Sequence, residues 1–166
     1  MRMNIEKLSE ASAEKFSQVF IEACELKNWK VDHCEVSGYS MLVSIDGFPL
    51  IFSLKVKQNI FLLSSYICQI KDSYKSVVYE ELLKANHLFS ETSGMTLSYV
   101  ADEQNEQGYA ALNYYTSYQV IEPHVLIDVV ESLMASSKVW SKKISELQGE
   151  TKTSSNKQKF TMPNLA

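Results

Sequence analysis

Asp32-His33-Cys34 places two potential metal ligands, an imidazole and a thiol, in adjacent positions. Zinc is the ion such a pair would serve. Neighbours on an extended chain point to opposite faces, however, and no second His/Cys pair supplies the missing ligands. The spacing therefore favours a structural role for these residues, and no metal is expected. His87 and His124 stand alone, one at the end of a predicted helix and one at the start of another. That placement suits caps or surface groups. Glu80-Glu81 and Asp102-Glu103 are the paired carboxylates. On a helix the first pair diverges by about 100°, and the second falls in a turn, so both read as solvated charge. Five glycines leave no phosphate-cradling loop, and neither GxGxxG nor GxxxxGK[ST] occurs. No spacing assembles a Ser/His/acid set. The expectation is a protein without catalytic residues and without a cofactor.

One concentration of residues points toward binding. Five of the nine tyrosines, Tyr99, Tyr109, Tyr114, Tyr115 and Tyr118, fall in the last two predicted strands. Tyrosine pairs a large apolar body with a polar tip, which suits recognition surfaces. Strand propensity and core packing account for tyrosines equally well. Tyr114 and Tyr115 must face opposite sides of any sheet that holds both.

The elements that position these residues are legible in outline. With 166 residues, 45% hydrophobic and 22% charged, the chain suits one globular domain with a real core. A net charge of −4 with a pI near 5.4 argues against nucleic acid as a partner. No apolar run of membrane-spanning length and no signal-peptide core is present. Three dispersed cysteines, Cys24, Cys34 and Cys68, read as reduced thiols of a cytosolic protein.

Residues 10 to 28 carry Phe16, Val19, Phe20, Ala23 and Cys24 at helical spacing, with Ser9 or Ser12 as candidate caps. From Tyr39 to Ile70 the pattern changes to strands. Asp46-Gly47 favours a type I′ hairpin turn, "VKQN" makes a second turn, and Pro49 must sit at a strand start or edge. Residues 73 to 89 return to helix, with Tyr74, Val78, Leu82, Ala85 and Phe89 on one face. Val77, Tyr79 and Leu83 widen the apolar surface to a second side, which calls for burial on both. Gly94 then breaks the chain before two strands around "DEQNEQG". Glu122-Pro123 opens a last helix with Leu126, Val130, Leu133, Val139, Trp140 and Ile144 on its apolar side. The predicted order is α-βββ-α-ββ-α, an α+β domain with a twisted antiparallel sheet over 1–148. A polar tail over 149–166 is expected to be flexible.

The junction "LLKANHLFSETSGMTLSYV", between helix and strand, resembles the Leu-Leu-x-x-Asn helix end, Gly turn and following strand of the class I type III secretion chaperones, the Tir chaperone (CesT) family. The first amphipathic helix, the Asp-Gly meander and Trp140 near the end of the last helix extend the resemblance over roughly Ser9 to Ile144. Ser93-Gly94 stands where the family often has paired glycines, and Leu97-Ser98-Tyr99 where it often has Leu-Gly-Leu.

The resemblance implies a homodimer in a bacterial cytoplasm, with the middle helix at or near the two-fold. Val77, Tyr79, Leu83 and Asn86 are the interface candidates. It also implies that an extended N-terminal segment of a secreted effector is held non-globular and delivered to the secretion apparatus, with the system's ATPase or sorting components as possible further partners. Such binding needs apolar grooves and a sheet edge that can accept a strand. The groove candidates are Phe16, Val19 and Phe20 on the first helix, with Leu97, Tyr99, Leu112 and Tyr114 on the late strands. The alternative is an α+β interaction module that regulates a signalling or transcription partner.

Overall fold

The computed structural model describes residues 2–89, 91–102 and 107–149. The predicted tail lies outside them from residue 150 onward, as do residues 103–106 of the predicted late turn. The elements are α1 (Arg2–Lys27), β1 (Val31–Ser37), β2 (Ser40–Ile45), β3 (Phe48–Lys55), β4 (Ile60–Ile70), α2 (Lys75–Asn86), β5 (Thr96–Asp102), β6 (Gln107–Ser117) and α3 (Pro123–Leu147). All pairings are antiparallel, in the order β1-β2-β3-β4-β6-β5. The chain thus leaves the sheet centre after β4, crosses through α2 to the far edge, and returns as β6 beside β4.

The α+β class is as predicted, but the meander has four strands, not three. The additional strand is β1, whose sequence VDHCEVS lacks an apolar alternation and whose residues are all exposed. An edge strand with little to bury leaves no periodic signal. The first helix also starts earlier than predicted, so Ser9 and Ser12 lie within it and do not cap it.

Turn chemistry sets the register of the meander. Asp46 and Gly47 both have positive φ, 50° and 76°, and Ile45 pairs directly with Phe48 across them. That is the two-residue turn expected of Asp-Gly. Asn59, at φ 57°, closes the turn before β4. Pro49 sits near the start of β3, opposite Ser44. Gly94 and the preceding Ser93, at φ 82° and 54°, make the break before β5.

The core lies between one sheet face and a layer formed by α1 and α3. Val19, Phe20 and Ala23 from α1 and Leu126, Val130, Leu133, Trp140 and Ile144 from α3 pack on Val43, Leu50, Phe52, Phe61 and Leu63. Val139, predicted on the apolar side of α3, is exposed, as is Phe89, which falls beyond the end of α2. On α2, Val78, Leu82 and Ala85 are buried. The end of α3 is pinned by Gln148, which donates to Gln69 O at 3.1 Å and accepts from Lys71 N at 2.7 Å.

Gly47→Ala should cost about 1–2 kcal/mol, because an L-residue is placed in the left-handed region. Thermal unfolding followed by circular dichroism should show the lower midpoint with an unchanged native spectrum.

Candidate partner-binding surfaces

The junction of residues 81–100 is built around a side-chain amide. Asn86 donates through Nδ2 to Leu97 O and accepts at Oδ1 from Leu97 N, both at 2.8 Å. Leu97 lies on β5, an outer strand of the sheet, so Asn86 stands where the next strand's backbone would be. It satisfies two groups of an otherwise open edge. The Leu-Leu-x-x-Asn pattern thus has an internal task here: Leu82 is buried, Leu83 is exposed, and Asn86 closes β5. Asn86, expected at a dimer interface, makes both of these bonds within the chain.

The same junction is fastened from α3. Lys143 pairs with Glu81 at 2.6 Å and Glu91 at 2.9 Å, and lies over the Trp140 ring at 4.5 Å from its centroid. The Glu81 carboxylate foremost raises the Lys143 pKa, with a smaller opposing effect from burial. Trp140 Nε1 donates to Glu91 O at 3.3 Å. Tyr79 packs edge-on against Tyr99 with centroids 4.9 Å apart, and Tyr99 covers Gly108, leaving no space there for a Cβ. Burial, followed by the hydrogen bond to Tyr99, pushes the Tyr79 phenol up.

Of the groove candidates, Val19, Phe20, Leu97 and Leu112 are core residues of the single chain and form no open groove. Phe16, Tyr99 and Tyr114 are half-buried against that core. Phe16 stacks with Phe52 and Phe61 at 5.6 and 5.4 Å, and its outer side borders a small crevice with Tyr118 and Ile121. Val120, the chain neighbour of Ile121, is 55% exposed. Of the interface candidates, Val77 and Leu83 are exposed, Leu83 at 71%, while Tyr79 is turned inward onto Tyr99. Tyr114 and Tyr115 do face opposite sides: Tyr114 joins the core and Tyr115 is 59% exposed.

Two surfaces escaped the sequence. The first is the sheet face on which no helix residue packs among the described residues. Ile51, Tyr66 and Ala111 pack there with Leu42, Val100 and Tyr109, apart from the main core. Strand alternation adds Leu62 and Tyr115, and between them small polar residues that bond to one another. Asn113 receives Ser64 Oγ at 2.8 Å and donates to Ser98 Oγ at 2.8 Å and Thr96 O at 3.2 Å. Ser40 and Ser53 hydroxyls pair at 2.9 Å. Charged positions on this face, Glu35 and Lys55, stand at its borders. A solvated sheet face ordinarily alternates charge with apolar residues, and one whose polar groups are already paired loses little on being covered.

The second is the β1 edge, which no side chain among the described residues closes as Asn86 closes β5. Val36 is 68% exposed. Asp32, which precedes His33 and Cys34, accepts from Gly47 N at 2.8 Å and pairs with Lys30 at 2.9 Å, tying β1 to the β2–β3 turn. Lys30 first, then the Gly47 N–H, hold its carboxyl below the usual range. His33 and Cys34 pair with successive residues of β2, Ser44 and Val43, and so face opposite sides. Among the described residues no group of His, Cys, Asp and Glu is placed to hold a metal, and no helix is long and apolar enough to cross a membrane.

With this geometry described, comparison with known proteins bears on the fold. No protein-family model matches the sequence, and no curated protein is significantly similar to it. Among solved structures, a chain of the HopA1–SchA chaperone–effector complex superposes with a TM-score of 0.55 at 14% identity, covering 82% of this chain and 97% of that one. An uncharacterized protein from Methanothermobacter thermautotrophicus superposes with a TM-score of 0.54 at 8% identity, covering 81% and 97%. The chain thus shares its fold, α+β with a six-stranded antiparallel sheet, with a chain of that chaperone–effector complex.

Asn86→Ala should destabilise the chain by about 2 kcal/mol, since two backbone groups of Leu97 lose their partner. Hydrogen exchange at the Leu97 amide should accelerate. Asn86→Asp, which keeps the acceptor for that amide, should restore its protection in part.

Proposed function

We propose that this chain is a cytoplasmic type III secretion chaperone. It binds the N-terminal segment of one or more effector proteins, keeps that segment non-globular, and promotes its delivery to the secretion apparatus. The match to a chain of a chaperone–effector complex across most of this chain is the observation that carries the reading. The exposed surfaces supply a physical means. An extended segment gains main-chain hydrogen bonds by pairing with β1, the edge left open, and places apolar anchors beside Phe16, Tyr118 and Val120. A few such anchors, not total area, would set the affinity. Phe16, Tyr99 and Tyr114 remain the effector-contact candidates from the original set, each with one side in the core.

The chaperone acts as a homodimer in this proposal. Val77 and Leu83 on the outer side of α2 are an exposed apolar pair that a second copy would cover. The sheet face, charged only at its borders, is a second surface suited to burial by protein. The secretion ATPase or its sorting components would then receive the loaded dimer.

Capture from a native bacterial lysate, followed by limited proteolysis, tests the proposal. A secreted protein held through a protease-sensitive N-terminal segment, one client to two chains, is the expected result. Val120→Asp, on an exposed side chain, should weaken capture about tenfold or more while leaving the melting temperature unchanged, as for loss of one apolar anchor. Leu83→Glu should shift the light-scattering mass toward a monomer. A captured partner that is folded and protease-resistant in the bound region would favour a regulatory interaction module instead.

A further inference from the structure

The helix layer leaves a gap over β3 and β4, where α3 stands beside the first hairpin. An open cleft of about 350 Å³ lies there. Phe48 and Ile67 form its apolar floor, and Ser137, Ser141 and Ser145 line its α3 wall. The four-residue spacing puts these serines on one face of the helix, with no bulky side chain to fill the space. Ser137 is only 2% exposed, yet its Oγ has no hydrogen-bond partner among the described residues. A buried hydroxyl ordinarily finds a partner, so this one lacks something that the cleft is shaped to admit.

Charge narrows what that is. Lys138 and Lys142 stand at the rim, and no carboxylate lines the cleft. Lys142 reaches Glu146 only at 3.8 Å, and Lys138 makes no ion pair among the described residues. In a chain of net charge −4 this is a local basic site on an apolar floor. The chain's own residues 150–166 are a poor occupant by charge, carrying Lys152, Lys157 and Lys159 against Glu150.

We infer that the cleft between α3 and the β3–β4 sheet holds an acidic-apolar segment of the partner polypeptide. An aliphatic or aromatic side chain fills the space over Phe48 and Ile67, a neighbouring Asp or Glu pairs with Lys138 and Lys142, and a polar group of the segment meets Ser137 Oγ. The inference rests on the proposed chaperone reading and adds to it a sequence preference in the client. Charge-assisted pairing to two lysines supplies direction, and the apolar floor supplies most of the affinity.

The test titrates the isotope-labelled full chain with three synthetic peptides, each a Gly-Ser frame around a central leucine. Asp and Glu flank the leucine in the first, Asn and Gln in the second, and two lysines in the third. Amide shifts of Ser137, Ser141 and Ser145 are expected with the acidic peptide. The neutral peptide should bind about tenfold more weakly, as for the loss of charge-assisted contacts, and the basic one should not bind. Lys138→Glu with Lys142→Glu should abolish the preference without changing the melting temperature. Ser141→Leu should block the cleft without changing the rim charge. Equal affinity for acidic and neutral peptides, or shifts elsewhere on the surface, would overturn the inference. The titration needs no client, so it can fail while lysate capture succeeds, and the reverse result would leave the cleft and remove the chaperone.

Discussion

Everything in this molecule follows from covering one face of a six-stranded sheet and leaving the other bare. Two long helices, α1 and α3, and the buried side of α2 are the available apolar stripes. Together they cover the face that carries Phe52, Phe61, Leu63 and Leu112. Burying those side chains drives folding at roughly 1.5–3 kcal/mol each. Among the described residues no helix side chain packs on the opposite face. Its Leu42, Ile51, Tyr66 and Val100 cover one another, and its serines and Asn113 pair among themselves. The single chain can therefore tolerate this face in water while remaining suited to a cover.

Closing the sheet's edges is the second constraint, and the two edges are treated differently. At β5 the Asn86 amide imitates a neighbouring strand, and at the end of β4 the Gln148 amide does the same for Gln69 and Lys71. Both amides come from helix ends, where the chain leaves regular structure and a side chain can reach a backbone. At β1 no such amide intervenes among the described residues. The edge is guarded only by charge, with Lys30 and Asp32 at its start and His33 and Glu35 along it. Charged edge strands resist self-pairing while keeping their backbone accessible. That asymmetry supports the proposal of β1 as the edge for an added strand.

Fold and function separate cleanly in the comparisons. The same architecture appears in a chaperone–effector complex and in an uncharacterized protein from Methanothermobacter thermautotrophicus, at identities too low to carry a role. Function then has to be argued from surfaces particular to this chain. Those surfaces are the Phe16–Val120 side of α1, the outer side of α2, the bare sheet face and the serine-lined cleft. They differ in charge: the sheet face is charged only at its borders, whereas the cleft carries two lysines. A partner that engaged both would need apolar character throughout and acidic residues at one place.

Sequence alone determined whatever rests on local rules. Helical periodicity located α1, α2 and α3, and Asp46-Gly47 and Gly94 marked their turns because few residues accept positive φ. Tyr114 and Tyr115 had to part to opposite faces because strand alternation has a period of two. Periodicity names an apolar residue but not what it touches, so Val19, Phe20, Leu97 and Leu112 could be core or groove until the packing was known. Nor does periodicity show that Asn86 bonds twice to the Leu97 backbone. Only the tertiary structure decided these, because burial and edge closure depend on which elements become neighbours. The β1 edge and the α3 cleft were beyond reach for the same reason: one is a polar strand without a pattern, the other a gap between elements far apart in the chain.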